Sequence, residues 1–553
     1  MQRTVETPHE NFDILDLERP RDWASLVTLV ISLQAGLAPW AVLDYVLNRG
    51  CRAVVVERDY VDRDYARSYR HFYARSFRDL EKRTTRLHFF ARPIRRASVS
   101  YLGRPRTAAS YMGFCVLRPL AVRRIGRTVL KPQPIDPESE FPITAGRFHV
   151  NIGGSHLEVQ GAAFMEQDAR VASCASAATW MSTASIAARF GLPTYTTSEI
   201  TEYATAYVVG ERMLPSGGLT VDQIAEALRR MGYDPVTLPI RSSHEAMDVV
   251  YPYVESCIPP ILLLRLVEGG HAMMAVGHTF DVSREPAGPS KVHWAKGEDP
   301  ISVWRSWQWV DALLVHDDQR GPYCRLELLG VDTEELSSEI QGIYGQTPGF
   351  DINSLKLEEW GCPVRIDCAL PYWESRNVFR RPQCCIGNLW GVIVPLPTGI
   401  SLSALEAHDK VARILKMWYD GLGQDMPDDL YLRTYLIESN AFKEHVDRTR
   451  GLHRYARRMY LGKSMPRWLW VTEVGFRREV LTSRMSDQRI RGEVLLDANS
   501  SPWIPDFVAL HMPLGKGRGH LTTMRPRESD VEAALVTGGW LLLGDQSYLP
   551  LHR

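Results

Sequence analysis

Apolar and polar positions follow different periods in different stretches of this chain, and each period predicts an element. From Ala24 to Leu47 the run ASLVTLVISLQAGLAPWAVLDYVL is apolar but interrupted by Gln34, Pro39 and Asp44. Its unbroken part is well short of the roughly 20 residues that cross a bilayer, so it predicts two packed helices. CRAVVVERDYV follows as a short β-branched strand. Tyr65, Tyr69, Phe72, Tyr73 and Phe77 then recur at spacings of three and four, an amphipathic helix whose aromatic stripe faces a core. From about 86 to 165 the pattern turns to short β runs: RLHFFA, SVSYLG, ASYMGFCVLRPL, RTVL and RFHVNIGGSHLEV. Gly153-Gly154 between the halves of the last run is a hairpin signal.

The next stretch mixes the two periods. ASCASAATWMSTASIAARFGL reads as a small-residue helix closed by Gly191 and Pro193. In PSGGLTVDQIAEALRRMGYDP, Thr220 and Gln223 form a capping box, and Ile224, Leu228 and Met231 form an apolar stripe. PPILLLRLVEGGHAMMAVGHTF predicts strand, turn and strand, and WVDALLVHDDQRGPY a strand ending before a Gly-Pro turn. A polar stretch then suggests a linker over 331–355. Beyond it CPVRIDCALPY, LWGVIVPLP, WLWVTEVGF and GEVLLDAN read as strands, and SLSALEAHDKVARILKMWYDGL and SNAFKEHVDRTRGLHRYARRMYL as helices. This half holds no Gly-rich phosphate loop and no internal repeat.

With 553 residues the chain exceeds one ordinary core. The pattern predicts an α/β extension with a basic β-rich part over 1–150, a chemistry-bearing unit over 151–330, the linker, and an α/β domain over 356–553. The composition is that of a globular protein, 45% hydrophobic and 24% charged, with Lys+Arg equal to Asp+Glu. Zero formal net charge argues against a whole-chain polyanion binder. Locally, no acid stands between Glu81 and Asp136, while Lys and Arg recur from 82 to 131. That segment is either a face neutralised by acids from elsewhere or a dock for an acidic partner; no nucleic-acid module accompanies it.

The nine cysteines are scattered, with no C-x-x-C pair, which excludes a zinc ribbon or thioredoxin motif and suits a reducing, cytoplasmic setting. Cys362, Cys368, Cys384 and Cys385 read as buried or incidental thiols, since adjacent cysteines rarely bridge. The N-terminal MQRTVETPHENFDILDLERP lacks the apolar core of a signal peptide.

Cys174 stands apart. With Ser173 as N-cap it falls in the first turn of the small-residue helix, where free N–H groups and the helix dipole favour a thiolate. Gln167, seven residues earlier, could donate to an oxyanion beside the Cys174 N–H. His271 opens an apolar strand after a turn, a partly exposed and rigid position that suits a general base. His278 falls on the opposite face, which argues against a two-histidine metal site. A carboxylate at the end of a neighbouring strand would orient the imidazole. Asp317 is the first choice and Asp318 the second, because strand parity lets only one face His271.

Gln167, Cys174 on its helix, the "GLT" before an amphipathic helix, Gly270-His271 opening a strand and a strand-end Asp317 come in an order that resembles the papain-like cysteine peptidases. The resemblance is greatest to their bacterial C39-like branch, which cleaves leader peptides at double-glycine sites, and covers about residues 160–330. It implies an α+β, papain-like core with Cys174 as nucleophile, His271 as base, Asp317 as orienter and Gln167 in the oxyanion hole, without cofactor or metal. The Gln-to-Cys spacing is one residue longer than the family pattern. SREPAGPSKVHWAKGEDPISVWRSWQW is an insertion between histidine and aspartate. The exporter's transmembrane and ATPase parts are not seen, which argues against leader-peptide export.

The expectation is therefore a cytoplasmic cysteine hydrolase acting on a peptide or isopeptide bond in a protein. Two alternatives stand beside it. One is a catalytically silent peptidase fold that binds an acidic partner through 82–131. The other is an acyltransferase or transglutaminase-like enzyme using the same triad with an amine acceptor.

Overall fold

The computed structural model describes residues 12–537, except 33–34, 76–79, 95–101, 135–138, 169–172, 207–217, 294–298, 330–337, 339, 341, 345–360, 380–382, 449–453, 481–489, 500–506, 516–517 and 525–530. Helices and strands are mixed in an α+β arrangement built on three sheets. The apolar run near the N-terminus forms two helices, Pro20–Val30 and Leu37–Asn48. No helix among the described residues is long and apolar enough to cross a membrane.

The first sheet is antiparallel and ordered Phe12–Asp16, Ala53–Tyr60, Thr84–Phe90, Tyr111–Leu117, Ile125–Leu130, Ser155–Phe164, Gly146–Ile152. Its last two strands meet through Gly153 and Gly154, both at positive φ (52° and 77°), which glycine adopts freely and which matches the twist of a two-residue hairpin. The aromatic helix is shorter than its stripe suggested, ending at His71 before a single 3-10 turn at Tyr73–Arg75. Tyr65 and Tyr73 are nonetheless buried against Tyr69, Phe72, Leu80 and Leu120, so these aromatics are core. SVSYLG lies largely outside the described residues, as do Phe77, Arg95 and Arg96.

The second sheet closes on itself. Ile261–Leu266, Gly269–Thr279, Ala312–Asp317, Gly321–Leu328, Cys362–Cys368 and Gln383–Pro397 pair in that order, all antiparallel, and the last returns to pair with the first. The 15-residue strand Gln383–Pro397 is long enough to pair with three partners in turn, the third being Tyr233–Pro239. CPVRIDC and LWGVIVPLP were expected in a separate C-terminal domain. They complete this ring instead.

The third sheet makes the reciprocal exchange. Ser290–Val292 and Ile301–Arg305, from the expected insertion, pair onto Leu430–Glu438, followed by Trp468–Phe476, Ile490–Asp497, Phe507–Gly515, Arg518–Met524 and Val531–Thr537. One apolar core runs through all three sheets. The C-terminal part is therefore not a separate domain: composition does not say which edge a strand will pair with, and the linker expected over 331–355 lies mostly outside the described residues. Leu430–Glu438 was not anticipated, because it is buried on both faces and carries no alternation.

A buried ionic cluster fastens the ring to the third sheet. Glu255 ends the Ser243–Glu255 helix and is fully buried. It accepts from His278 Nε2 at 2.5 Å and from Arg433 Nε at 3.0 Å, while Arg433 Nη1 reaches Glu473 at 2.8 Å. Burial alone would raise the Glu255 carboxyl, but the Arg433 charge and then the His278 hydrogen bond hold it down at about 2.

Removing one member of such a cluster leaves a buried charge unpaired. Arg433→Met is expected to cost about 3–5 kcal/mol, read as a lower urea-unfolding midpoint by tryptophan fluorescence. Because the folded Glu255 pKa is depressed, its contribution is present above the unfolded value of about 4.3 and lost as pH falls towards the folded one. The acid-side loss of stability should accordingly be smaller in the variant.

Candidate functional site

The helix Cys174–Phe190 forms where expected and ends at Gly191 in the left-handed conformation (φ 67°). Ser173 occupies the N-cap position in extended backbone, but its hydroxyl makes no capping bond. The small residues have the expected use. Ala177, Ala178, Trp180 and Met181 are buried, letting the helix lie between the first sheet and the ring strand Gly269–Thr279. Two serines pin it to different neighbours: Ser182 Oγ donates to Pro259 O at 2.6 Å, and Ser185 Oγ accepts from Ala163 N at 3.0 Å. The half-buried Cys174 is thus fixed at a helix N-terminus whose first-turn N–H groups lack intrahelical acceptors.

Across from it, the hairpin of Ile261–Leu266 and Gly269–Thr279 presents Gly270 and His271. Cys174 Sγ lies 4.0 Å from Gly270 O, beside His271, and is among the groups that hold the His271 imidazole up. His271 Nε2 is 3.0 Å from Asp317 Oδ1, so Nδ1 is the ring nitrogen left for the thiol. His271 is only 6% exposed, less than the expected partly exposed base, because the Cys174 helix packs against its strand while the turn before it stays exposed. His278 binds Glu255 instead and takes no part in the site.

Asp317 ends its strand fully buried and fully used. Oδ1 accepts from His271 and from Gln319 N at 2.9 Å, and Oδ2 accepts from Arg320 Nη1 at 2.9 Å. Burial by itself would raise this carboxyl; His271, Arg320 and the Gln319 N–H outweigh burial and hold it well below the carboxylate range. For His271, burial would favour the neutral ring. The charge and hydrogen bond of Asp317, the Cys174 contact and the charge of Asp318 reverse that and hold the imidazole well above its ordinary range.

Asp318 is also at the site, with Oδ1 3.7 Å from His271 Nε2. The parity argument for a single facing aspartate fails because Asp318 lies in the turn beyond the strand end, where alternation stops. It is fully buried, and among the described residues neither oxygen has a hydrogen-bond partner. Burial pushes its carboxyl up, the Asp317 charge adds to that, and His271 and Arg123 only partly offset it. Sequence reasoning also passed over Arg320, the brace on Asp317; its spacing of three from Asp317 is the signal that could have found it.

Gln167 sits half-buried in the segment leading to the helix, between the buried Glu166 and Asp168. Its side chain makes no hydrogen bond to the described residues, so its expected place in an oxyanion hole rests on chain position alone.

Arginines from 82–131 turn inward. Arg86 pairs with Glu57 at 2.7 Å, Arg118 donates to Glu166 O at 2.7 Å, Arg123 lies 3.8 Å from Glu166 Oε1, and Arg124 donates to Leu29 O at 2.9 Å. These four satisfy groups of this chain, while Lys82, Arg83, Arg92, Arg104, Arg106 and Lys131 are exposed.

His271, Asp317 and Asp318 place ligand-type atoms within 4.8 Å of one another. The set fits a cation poorly: Arg320 already occupies Asp317 and would repel a second positive charge, and the His271 Nε2 lone-pair direction is used by Asp317. A thiol, an imidazole held by a carboxylate, and free N–H groups at a helix end suit nucleophilic acyl chemistry.

No family model matches this chain, and no curated protein matches it.

Two outcomes are expected. At about pH 6, where an ordinary thiol is almost wholly protonated, an alkylating reagent should label Cys174 first, and His271→Ala should slow that labelling about tenfold or more by mass mapping. The folded Asp318 pKa is raised, so its stabilising share is complete below the unfolded value of about 3.9 and lost as pH climbs through the folded one. Asp318→Asn should therefore gain in stability relative to wild type between pH 4 and pH 8, followed by denaturant unfolding.

Proposed function

We propose that this protein is a cysteine hydrolase that cleaves a peptide or isopeptide bond in a protein substrate through a thioester, on a papain-like core. One observation carries the reading: the Cys174 thiol meets an imidazole whose far nitrogen is held by Asp317 at 3.0 Å. The order of residues noted in the sequence supports it, and so does a helix-borne cysteine set against a ring of antiparallel strands.

The chemistry follows from the geometry. His271 Nδ1 takes the thiol proton, and Asp317 stabilises the imidazolium formed. The thiolate attacks the carbonyl carbon, and the resulting oxyanion accepts from first-turn N–H groups, with the Gln167 amide as the second donor. His271 returns its proton to the leaving amine as the C–N bond breaks. Water, deprotonated by the same imidazole, then hydrolyses the thioester and restores the thiol. Asp317 braced by Arg320 fixes the ring before substrate arrives, so little reorganisation is left to the reaction.

Hydrolysis of a quenched-peptide library is the test. Cys174→Ala should lower turnover by about 10⁴ or more while leaving the circular dichroism spectrum unchanged. Asp317→Asn should lower it by about 10²–10⁴, and Asp318→Asn by much less, because only Asp317 bonds the ring. Turnover that survives Cys174→Ala overturns the proposal.

A further inference from the structure

Behind the turn that carries Asp317 lies a second sulfur site. On the paired strands Gly321–Leu328 and Cys362–Cys368 the ladder ends with Arg325 opposite Asp367, and Cys324 and Cys368 are the next residues on the two strands. Directly opposed residues on antiparallel strands have Cα atoms about 4.5–5.5 Å apart, inside the range a disulfide spans without backbone movement. The two thiols are free, and Cys368 is close enough to act on the ionisation of Cys324. Each also donates to the same turn, Cys368 Sγ to Arg320 O at 3.2 Å and Cys324 Sγ to Gly321 O at 3.5 Å.

A small oxidant has a way in. Both cysteines line one partly open cavity of about 170 Å³, between the Leu37–Asn48 helix and the ring, which also touches Tyr45, Leu314 and Tyr323. That volume holds several molecules the size of water. None of the remaining described cysteines combines an opposed thiol partner with a lining position in this cavity.

We propose that Cys324 and Cys368 form a dithiol site that a small hydroperoxide oxidises to a disulfide. One thiol, as its thiolate, attacks a peroxide oxygen. The O–O bond breaks, the sulfur becomes a sulfenic acid, and the released hydroxide takes a proton to leave as water. The second sulfur attacks the first and expels a second water. Two thiols and one hydrogen peroxide thus give one disulfide and two waters, sulfur being oxidised and peroxide oxygen reduced. The contact with Cys368 and burial hold the Cys324 thiol well above its ordinary range, so thiolate is scarce at neutral pH and the reaction quickens as pH rises. The site does not depend on the hydrolase reading, since it uses neither Cys174 nor His271.

The test uses the full-length protein. It is reduced, exposed to millimolar hydrogen peroxide or to the dithiol oxidant diamide, unfolded in an alkylating reagent, digested and mapped by mass. The expected result is a linked pair of peptides joined at Cys324 and Cys368, two hydrogens lighter than their sum, that dithiothreitol returns to two thiols. Buried Cys51, Cys115 and Cys257 should be recovered alkylated. Recovery of Cys324 and Cys368 as alkylated thiols after both oxidants, or a link from either to Cys385, overturns the proposal. Because the wild-type chain is mapped, the result does not hang on a variant folding. In Cys324→Ser the link should vanish and a 1,3-dione should trap a sulfenic acid at Cys368.

Discussion

A sheet edge left unpaired inside a protein is costly, and the ring of six strands removes every such edge by closing. Closure depends on Gln383–Pro397, which pairs with Cys362–Cys368 on one side and with Ile261–Leu266 on the other. The strand that carries His271 is held by Ile261–Leu266, and the strand that ends in Asp317 by Gly321–Leu328. The histidine and the aspartate are therefore placed by a ring whose last strand lies far along the chain. The same dependence makes the chemistry-bearing region structurally incomplete at residue 330.

Charge buried in this frame is organised rather than avoided. Asp317 is shared among His271, Gln319 N–H and Arg320, so the negative charge that raises the imidazole is itself fully compensated. Glu255, His278, Arg433 and Glu473 repeat the arrangement between the ring and the third sheet. Asp318 is the exception, a buried carboxyl without a hydrogen-bond partner among the described residues beside the same imidazole, and burial answers it by favouring its neutral form. The Arg320–Gly321 turn is held from three directions. Asp317 takes the guanidinium, two thiols donate to its carbonyls, and Gly321, at φ 134°, leaves room for Ala41, whose Cβ would lie 2.4 Å from any Cβ added there.

Much of the candidate site was legible because it rests on local signals. The small-residue run before Gly191, the Gly-Gly turn before His271 and the strand ending in His316-Asp317 each specify an element from neighbouring residues. Two errors came from carrying local rules past their range. Strand alternation was applied to Asp318, which lies beyond the strand end, and exposure was inferred for His271 from its turn alone, without the helix that covers it. The basic segment left two readings open for a related reason: charge along the sequence does not say that Glu57 and Glu166 will come to meet Arg86 and Arg123.

The sequence by itself determined several elements and their ends: the capped helix after Thr220, the hairpin at Gly153-Gly154, the helix that begins at Cys174. These follow from side-chain periodicity, capping and glycine conformation, which act over a few residues. The tertiary structure alone decided that the 362–397 strands close the ring, that 290–305 joins the third sheet, and that Asp318, Arg320 and the Cys324–Cys368 pair gather behind His271. Those outcomes depend on which strand edges remain open once the rest has paired and on which charges are buried together. Both are properties of the assembled fold, and no short stretch of the chain encodes them.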